Sequence, residues 1–384
     1  MPSEMTTPFH EYTIVLASPS QIQQYMRVKY IHWHCGSMWE TFVAAYEHEM
    51  KTSKWAKDDG LLDWVLVRRD DPEGEFYAAC QTYRRNGLVR KAGNRDVESC
   101  WLYLIGGVVT SPAHLRRGYA THLLRLLHYH LADNADLPPF PSQWGPPPPK
   151  PSAKIPKSIA STLYSDVGAD FYRNCTIGTS LPGWVVDPKA NVELDWELLP
   201  VEEEAKTNEW DLLHAKDMPE IEELLSNSLT QALKDSSEQQ TIVVHDPSSV
   251  GSLWIVAEKG AYGSTSTDSP PLGARQDDTV VLFTATNVIV YEKLLVTCTH
   301  KVQSDGLASL LKILDRAGAK ANRTSGIVWG LDDETIATWK DEAERQGRKI
   351  TVRERKGLLG HLLAVARYGK EKGIVLDSQL WPWC

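Results

Sequence analysis

Between Glu98 and Leu131 the chain passes from a long apolar, β-branched run, through a short basic loop with one glycine, into an amphipathic helix. The run Glu98–Thr110 is dense enough in apolar and β-branched residues to be a central strand, and Ser111–Pro112 ends it. Beyond Gly118, the residues Leu123, Leu124, Leu127 and Leu131 recur at helical spacing on one face. His122, Arg125 and Tyr129 lie mostly elsewhere on the helix.

The loop between strand and helix is where chemistry is expected. Backbone N–H groups at a helix start point outward without intrahelical acceptors, and together with the helix dipole they suit a phosphate. In VVTSPAHLRRGYATHLL, Gly118 permits close approach of a ligand, Ala120 keeps the helix start uncluttered, and Arg116 and Arg117 add positive charge. A triphosphate loop needs Gly-Lys-Ser/Thr and a dinucleotide loop needs three spaced glycines; neither pattern is present. The plain alternative is a basic surface loop before a core helix.

Around this unit the sequence reads as strand 11–17, helices 19–35 and 38–56, and strands 63–69 and 75–83 joined by the turn DDPEG. Residues 84–95 read as a basic, solvated hairpin tip, and the proline-rich stretch 138–158 as a solvated loop or insert. A strand at 160–164 and a short helix at 168–175 follow. From about Val192 a second unit begins, with helices at 217–234, 305–318 and 334–346. Its strands are expected at 241–245, 252–258, 279–285, 288–298 and 325–330, with a mobile loop at 261–278. The helix–strand order after residue 304 echoes the order after residue 118. Glu202–Glu203–Glu204 reads as a solvated run at the domain boundary.

A length of 384 residues suits two cores better than one. The formal net charge of -9, with no basic domain, argues against a nucleic-acid partner and sits well with a small cationic substrate. Six scattered cysteines form neither a zinc pattern nor a disulfide framework, which fits a reducing compartment. His32–Trp33–His34–Cys35 does not supply a metal site, because His at i and i+2 face different ways on a helix. Cys175 reads as a core thiol. No signal peptide or membrane-spanning run is evident, so the expected location is the cytoplasm, with no membrane partner and no metal.

The loop resembles the acetyl-CoA loop of the GCN5-related N-acetyltransferase superfamily, Gln/Arg-x-x-Gly-x-Gly/Ala after a strand ending in Val. Here it reads Leu115-Arg116-Arg117-Gly118-Tyr119-Ala120, with Leu115 departing from the pattern at the first position. LYSDVGADFYRN (Leu163–Asn174) resembles the later strand–helix of the same superfamily, where a helix tyrosine protonates the departing CoA thiolate. Tyr172 stands at that position, and a hydroxyl with pKa of about 10 suits the role. The superfamily's closing Gly–aromatic pair is matched by Gly183–Trp184, displaced by an insert at 176–182.

The resemblance covers about residues 10–190. It implies an α/β (α+β) fold: a mixed central sheet flanked by helices, followed by a second C-terminal α/β domain readable as a degenerate copy. The expected domains are 1–190, which binds acetyl-CoA, and 191–384, which shapes the acceptor side. Acetyl-CoA is the implied cosubstrate, held by Val108, Val109, Thr110, Leu115, Arg116, Arg117, Gly118, Tyr119, Ala120 and Thr121, with Tyr172 as catalytic acid. More narrowly, LYSDVGADFY, the Trp-rich N-terminal helices and the extended C-terminal domain look like the fungal lysine N6-acetyltransferases. Those enzymes acetylate the side-chain amine of free lysine in lysine catabolism. Acetylation of a protein or peptide, or a non-catalytic acyl-CoA sensor, stands as the alternative.

A lysine ε-amine needs a base. The superfamily's strand glutamate falls at Leu104, which leaves Tyr103, Glu98, His122 and Asp166 open. Trp33, His34, Trp39, Glu40 and Tyr46 are candidates for the acceptor side. In some tandem relatives the C-terminal carboxylate reaches the site, and Trp381–Pro382–Trp383–Cys384 is aromatic enough to be anchored there.

Overall fold

The computed structural model of the chain describes residues 8–34, 36–186, 191–201, 210–249, 253, 270–285, 292–369, 373–375 and 379–383. It is a mixed α/β protein built on two sheets. The first follows the order β1 (Tyr12–Leu16), β2 (Leu61–Arg68), β3 (Ala78–Arg90), β4 (Val97–Thr110), β5 (Ala160–Val167), β15 (Leu358–Arg367) and β6 (Val185–Val186). β9 (Thr241–His245) joins it by pairing with the far end of β3, and β16 (Gly373–Val375) pairs with β9. The second follows the order β14 (Ile350–Glu354), β7 (Val192–Glu197), β13 (Ser325–Trp329), β12 (Leu294–His300), β11 (Thr279–Thr284), β10 (Gly273–Gln276) and β8 (Asp211–Leu213).

Each face of the first sheet has its own cover. The amphipathic helix α3 (Tyr119–Leu131) buries Leu123, Leu124, Leu127 and Leu131 against Leu66, Cys80, Tyr103, Ile105 and Leu163. The opposite face meets α1 (Pro19–Trp33) through Tyr25 and Val28, which pack on Val65, Val67, Ala79 and Val109. Further along that face Trp55 and Ala56 cover Leu61, Tyr83, Leu104 and Tyr164. Ser18 starts α1 with a reciprocal capping box to Gln21, as a Ser-Pro start favours. α2 (Trp39–Thr52) packs beside α1.

In the second half, β12 runs through α6 (Ser304–Lys320) into β13, its parallel neighbour. β4 runs through α3 into β5 in the same way. The echo seen in the sequence is therefore a repeated strand–helix–strand unit. α6 and α7 (Asp333–Arg345) cover one face of the second sheet, and α5 (Met218–Asp235) packs with Val280, Leu282 and Cys298. The C-terminal residues run between the two sheets. Leu380 joins the cluster of Leu295, Ile327 and Trp329, while Trp383 touches both that cluster and the one around Tyr83 and Leu104.

Several expectations need correcting. Residues 84–90 are not a solvated tip: they continue β3, pair with β9, and bury Arg85 and Arg90 to 1% and 4% exposure. Arg90 is held by the carbonyls of Asn94 and Glu238. The proline-rich stretch is irregular but not solvated throughout. Trp144 is buried against His122, Phe140 and Tyr129, so the stretch straps the outer side of α3. Within the expected loop 261–278, residues Gly273–Gln276 form strand β10; the expected strand at 252–258, all but residue 253, and the Glu202–Glu204 run lie outside the described residues. Strands β14, β15 and β16 follow the last helix and were not anticipated. Through β9, β15 and β16 the first sheet takes in residues from beyond position 190.

Candidate active site

β4 and β5 are parallel and paired only from Leu102 to Leu104 against Ala160 to Thr162. Both strands continue, β4 to Thr110 and β5 to Val167, and each keeps its other neighbour, β3 or β15. The sheet therefore opens at the carboxyl ends of two parallel strands, the place where α/β folds take ligands. One edge of β4 from Ile105 onward has no strand partner among the described residues.

A bulge stands in that opening. Ala79 pairs with Val109 and Gln81 with Gly106, so Gly107 and Val108 together oppose Cys80. Gly107 has φ +59, and a Cβ there would lie 2.4 Å from the Tyr25 hydroxyl, which donates to the Gly107 carbonyl at 2.6 Å. Alternation across the bulge turns Val108 toward α3 and Val109 toward α1.

The loop below the opening has the geometry of an anion cradle. Gly118 is the N-cap of α3 at φ 81 and offers no side-chain cap, so the first-turn N–H groups of Tyr119, Ala120 and Thr121 keep no side-chain acceptor there. Arg116 also adopts a left-handed φ, +61, in this loop. Leu115, Arg116, Arg117 and Gly118 are all exposed, whereas the Tyr119 ring is buried against Tyr12 and Tyr77. Tyr119 can thus offer only its backbone. The residues present fit a phosphate-bearing ligand bound mainly through main-chain N–H groups.

Tyr172 lies in the one-turn helix α4 (Asp170–Arg173), partly buried, with its ring 6.4 Å from that of Trp184 and nearly perpendicular to it. Burial, with added effect from Cys175, Asp166 and Cys80, pushes its hydroxyl pKa well up, so it stays protonated. The hydroxyl makes no hydrogen bond among the described residues. Gly183–Trp184 closes onto this helix: the Gly183 and Trp184 N–H groups donate to the Arg173 and Tyr172 carbonyls, and a Cβ on Gly183 would strike both the Cys175 and Tyr172 oxygens. Cys175 is buried beside Phe171, a core thiol with its pKa raised to about 12 by burial.

The face toward α1 and α2 carries a polar cluster that the sequence reading largely missed. Asp63 on β2 accepts from the Tyr46 hydroxyl at 2.5 Å and from the Gln81 amide at 2.9 Å, and Lys29 donates to the Gln81 carbonyl oxygen at 2.7 Å. Burial pushes the Asp63 pKa up, while Lys29 and the two hydrogen bonds pull against it. Only Tyr46 of this cluster was foreseen. The signal for Asp63 and Gln81 was a charged or amide residue at an inward position of an otherwise apolar strand.

On the other side of the opening, Asp166 near the end of β5 lies 2.6 Å from Nδ1 of His361. His361 belongs to β15, where the register slips between Leu358 and Leu362, and it adopts φ +44. Its carbonyl accepts from Arg355 at 2.6 Å, and its ring stacks on Trp329 and meets Trp383 edge-on. No pattern in the sequence announced this partner.

The remaining candidates fall elsewhere. Glu98 sits on the surface paired with Lys91, Tyr103 spends its hydroxyl on the Pro156 carbonyl, and His122 is packed between Phe9 and Trp144, with burial pushing its pKa down to about 3. Trp33, His34 and Glu40 are exposed, and Trp39 packs on Tyr30 and Arg27. Thr110 ends β4 and Thr121 lies against the Cys175 thiol. Cys35 and the C-terminal Cys384 lie outside the described residues. Among the described residues no group of three or more His, Cys, Asp or Glu could hold a metal, and no helix is long and apolar enough to cross a membrane.

No family model and no curated protein matches the chain. Solved structures do. A GCN5-related N-acetyltransferase of Kribbella flavida is 13% identical over 93% of this chain and 70% of its own, with a TM-score of 0.47. One from Anabaena variabilis is 12% identical over 92% and 72%, also at 0.47. A tandem protein of the same kind from the clavulanic acid biosynthesis pathway is 13% identical over 94% and 100%, at 0.41. At these scores the likeness decides nothing about activity, which has to be read from the site.

Proposed function

We propose that the chain is an acetyl-CoA-dependent N-acetyltransferase acting on a small amine, the side-chain amine of free L-lysine being the substrate that fits best. The observation that carries this reading is the opening of β4 from β5 beside a helix N-terminus with no side-chain cap. The N–H groups of residues 118–121, with Arg116 and Arg117, would hold the pyrophosphate, and the unpaired edge around Val108 and Val109 would hold and polarise the thioester carbonyl. Acetyl-CoA supplies the activated acetyl group.

The amine approaches on the α1–α2 face, where acidic and aromatic groups gather. An incoming ammonium finds the partly exposed carboxylate of Asp166 on β5, while the buried Asp63 on β2 adds negative charge from behind Tyr46 and Gln81. Asp166, with 32% of its side chain exposed and oriented by His361, is the better placed to take a proton from the acceptor and pass it to solvent. Tyr172, kept protonated, gives a proton to the departing sulfur. On this reading residues 1–190 supply the donor side, and residues 191–384 shape the acceptor side through β15 and the C-terminal aromatic segment.

The test is CoA release from acetyl-CoA with free lysine, other small amines and lysine-containing peptides. Release with lysine is expected, and Tyr172→Phe should slow it while CoA still binds. Release with peptides alone would overturn the free-amine reading. Tight CoA binding with no release to any amine would make the chain a sensor instead.

A further inference from the structure

We infer that the chain carries an acceptor of its own, Lys29, and acetylates it; this rests on the donor site proposed above. Lys29 lies one turn after Tyr25 on α1. Its Nζ donates to Gln81 Oε1 at 2.7 Å and stands 5.4 Å and 5.9 Å from the ring centroids of Tyr25 and Tyr46. Gln81 Oε1 in turn lies 3.3 Å from the point that a Cβ on Gly107 would occupy. That oxygen and the Tyr25 hydroxyl, 2.4 Å from the same point, stand between the ammonium and the bulge on β4. The Gln81 amide is fixed by Asp63, and Asp63 by Tyr46, so the oxygen facing Lys29 cannot swing away.

Two aromatic rings, an amide oxygen and a buried carboxylate nearby form the recognition chemistry that an alkylammonium requires. A free lysine would present the same group to the same place, and the chain already has one there. Only a short movement along the four-carbon stem brings Nζ to the open edge of β4. Proximity then replaces binding, so that this amine reacts as if at high local concentration.

The step balances as an acyl transfer. The Lys29 ammonium loses one proton to solvent, and the freed lone pair forms the N–C bond to the acetyl carbonyl carbon. The C–S bond breaks, and the sulfur leaves as a thiol with the proton from Tyr172. The second ammonium proton replaces the one that Tyr172 gave. The products are one amide, one CoA thiol and one proton released to solvent.

The experiment incubates the full-length chain with isotopically labelled acetyl-CoA and no added amine, then maps labelled peptides by mass spectrometry. One acetyl group at Lys29 is expected, at a rate independent of protein concentration. That rate should exceed the rate at the exposed Lys51 and Lys356 by roughly tenfold or more. CoA release with free lysine is measured on the same sample. Release with lysine, but labelling of Lys29 no faster than of the surface lysines, overturns this inference and leaves the enzymatic reading intact. Neither release nor labelling overturns both. A Lys29 rate that rises with protein concentration overturns the intramolecular step.

Discussion

Gly107→Ala tests the bulge on which the donor side of the site is built. Two costs can be read from the structure. Alanine at φ +59 carries a left-handed penalty of about 1–2 kcal/mol. Its Cβ would also sit 2.4 Å from the Tyr25 hydroxyl, which must move and give up its 2.6 Å bond to the Gly107 carbonyl. Losing a buried hydrogen bond of this kind costs about 1–3 kcal/mol. The sum is about 2–5 kcal/mol, and on the proposed function acetyl transfer should fall with it because the edge of β4 around Val108 and Val109 shifts. Removing the obstructing oxygen separates the two costs. In a Tyr25→Phe background the same Cβ meets the ring carbon at 3.5 Å, an ordinary contact, so the backbone penalty and a close 3.3 Å approach to Gln81 Oε1 are left. Denaturant unfolding of wild type, the two single variants and the double variant closes the cycle, with an expected coupling of about 1–3 kcal/mol in favour of the double variant, the cost of the hydrogen bond that both single variants lose. Costs that add to within about 0.5 kcal/mol would refute the contact geometry assigned to the bulge.

Gly118→Glu should abolish CoA binding in a calorimetric titration, because it sets a carboxylate at the mouth of the cradle and a side chain against Phe9; wild-type affinity would contradict the loop assignment. Burial holds four histidines neutral, pushing His122 and His245 down to about 3 and His128 and His130 to about 4. The unfolded chain takes up their protons from about pH 6.5 downward, so stability present above that pH is lost as pH falls toward 4, by up to about 1.4 kcal/mol per site per pH unit. Unfolding midpoints that do not change between pH 7.5 and 5.5 would exclude it. In the second half, Arg348 and Asp315 form a bidentate pair at 2.6 Å and 2.7 Å with side chains 1% and 6% exposed. Asp315→Asn should cost about 3–5 kcal/mol by stripping a buried charge of its partner, and thermal unfolding at the wild-type temperature would refute this.

What the sequence made legible follows from the range of the forces involved. The strand Glu98–Thr110, the loop and α3 were readable because periodicity, a proline stop and a glycine act over a few residues. Residues 84–90 were misread because three arginines in seven residues look solvated. Their burial depends on β9, a segment about 150 residues away that no local signal connects to β3. Trp144 was misread in the opposite sense: prolines do exclude regular structure, but Trp144, with Leu137, Phe140 and Ile155 packed on the same core, fastens the strap to α3. The cluster of Asp63, Gln81 and Lys29 was illegible because each residue taken alone is an ordinary polar interruption; strand register makes Asp63 and Gln81 neighbours, and the packing of α1 brings Lys29 to them.

β15 shows why the proposed acceptor side could not be read from the first half of the chain. With β5 parted from β4, its upper half has lost one neighbour, and its remaining hydrogen-bond partners come from β15. The strand that completes the sheet therefore also decides what stands across from the bulge. Because its register slips opposite Asp166, β15 turns the His361 imidazole back onto that carboxylate, with Arg355 and Trp329 holding it there. The same tail then passes Trp383 between the two sheets, against the ring of His361. On the proposed function, a donor site legible from local motifs and an acceptor site assembled from the end of the chain are what such an interlocked pair of sheets would produce. Changes in β15 should accordingly alter the choice of amine, while acetyl-CoA binding stays with the loop at 115–121.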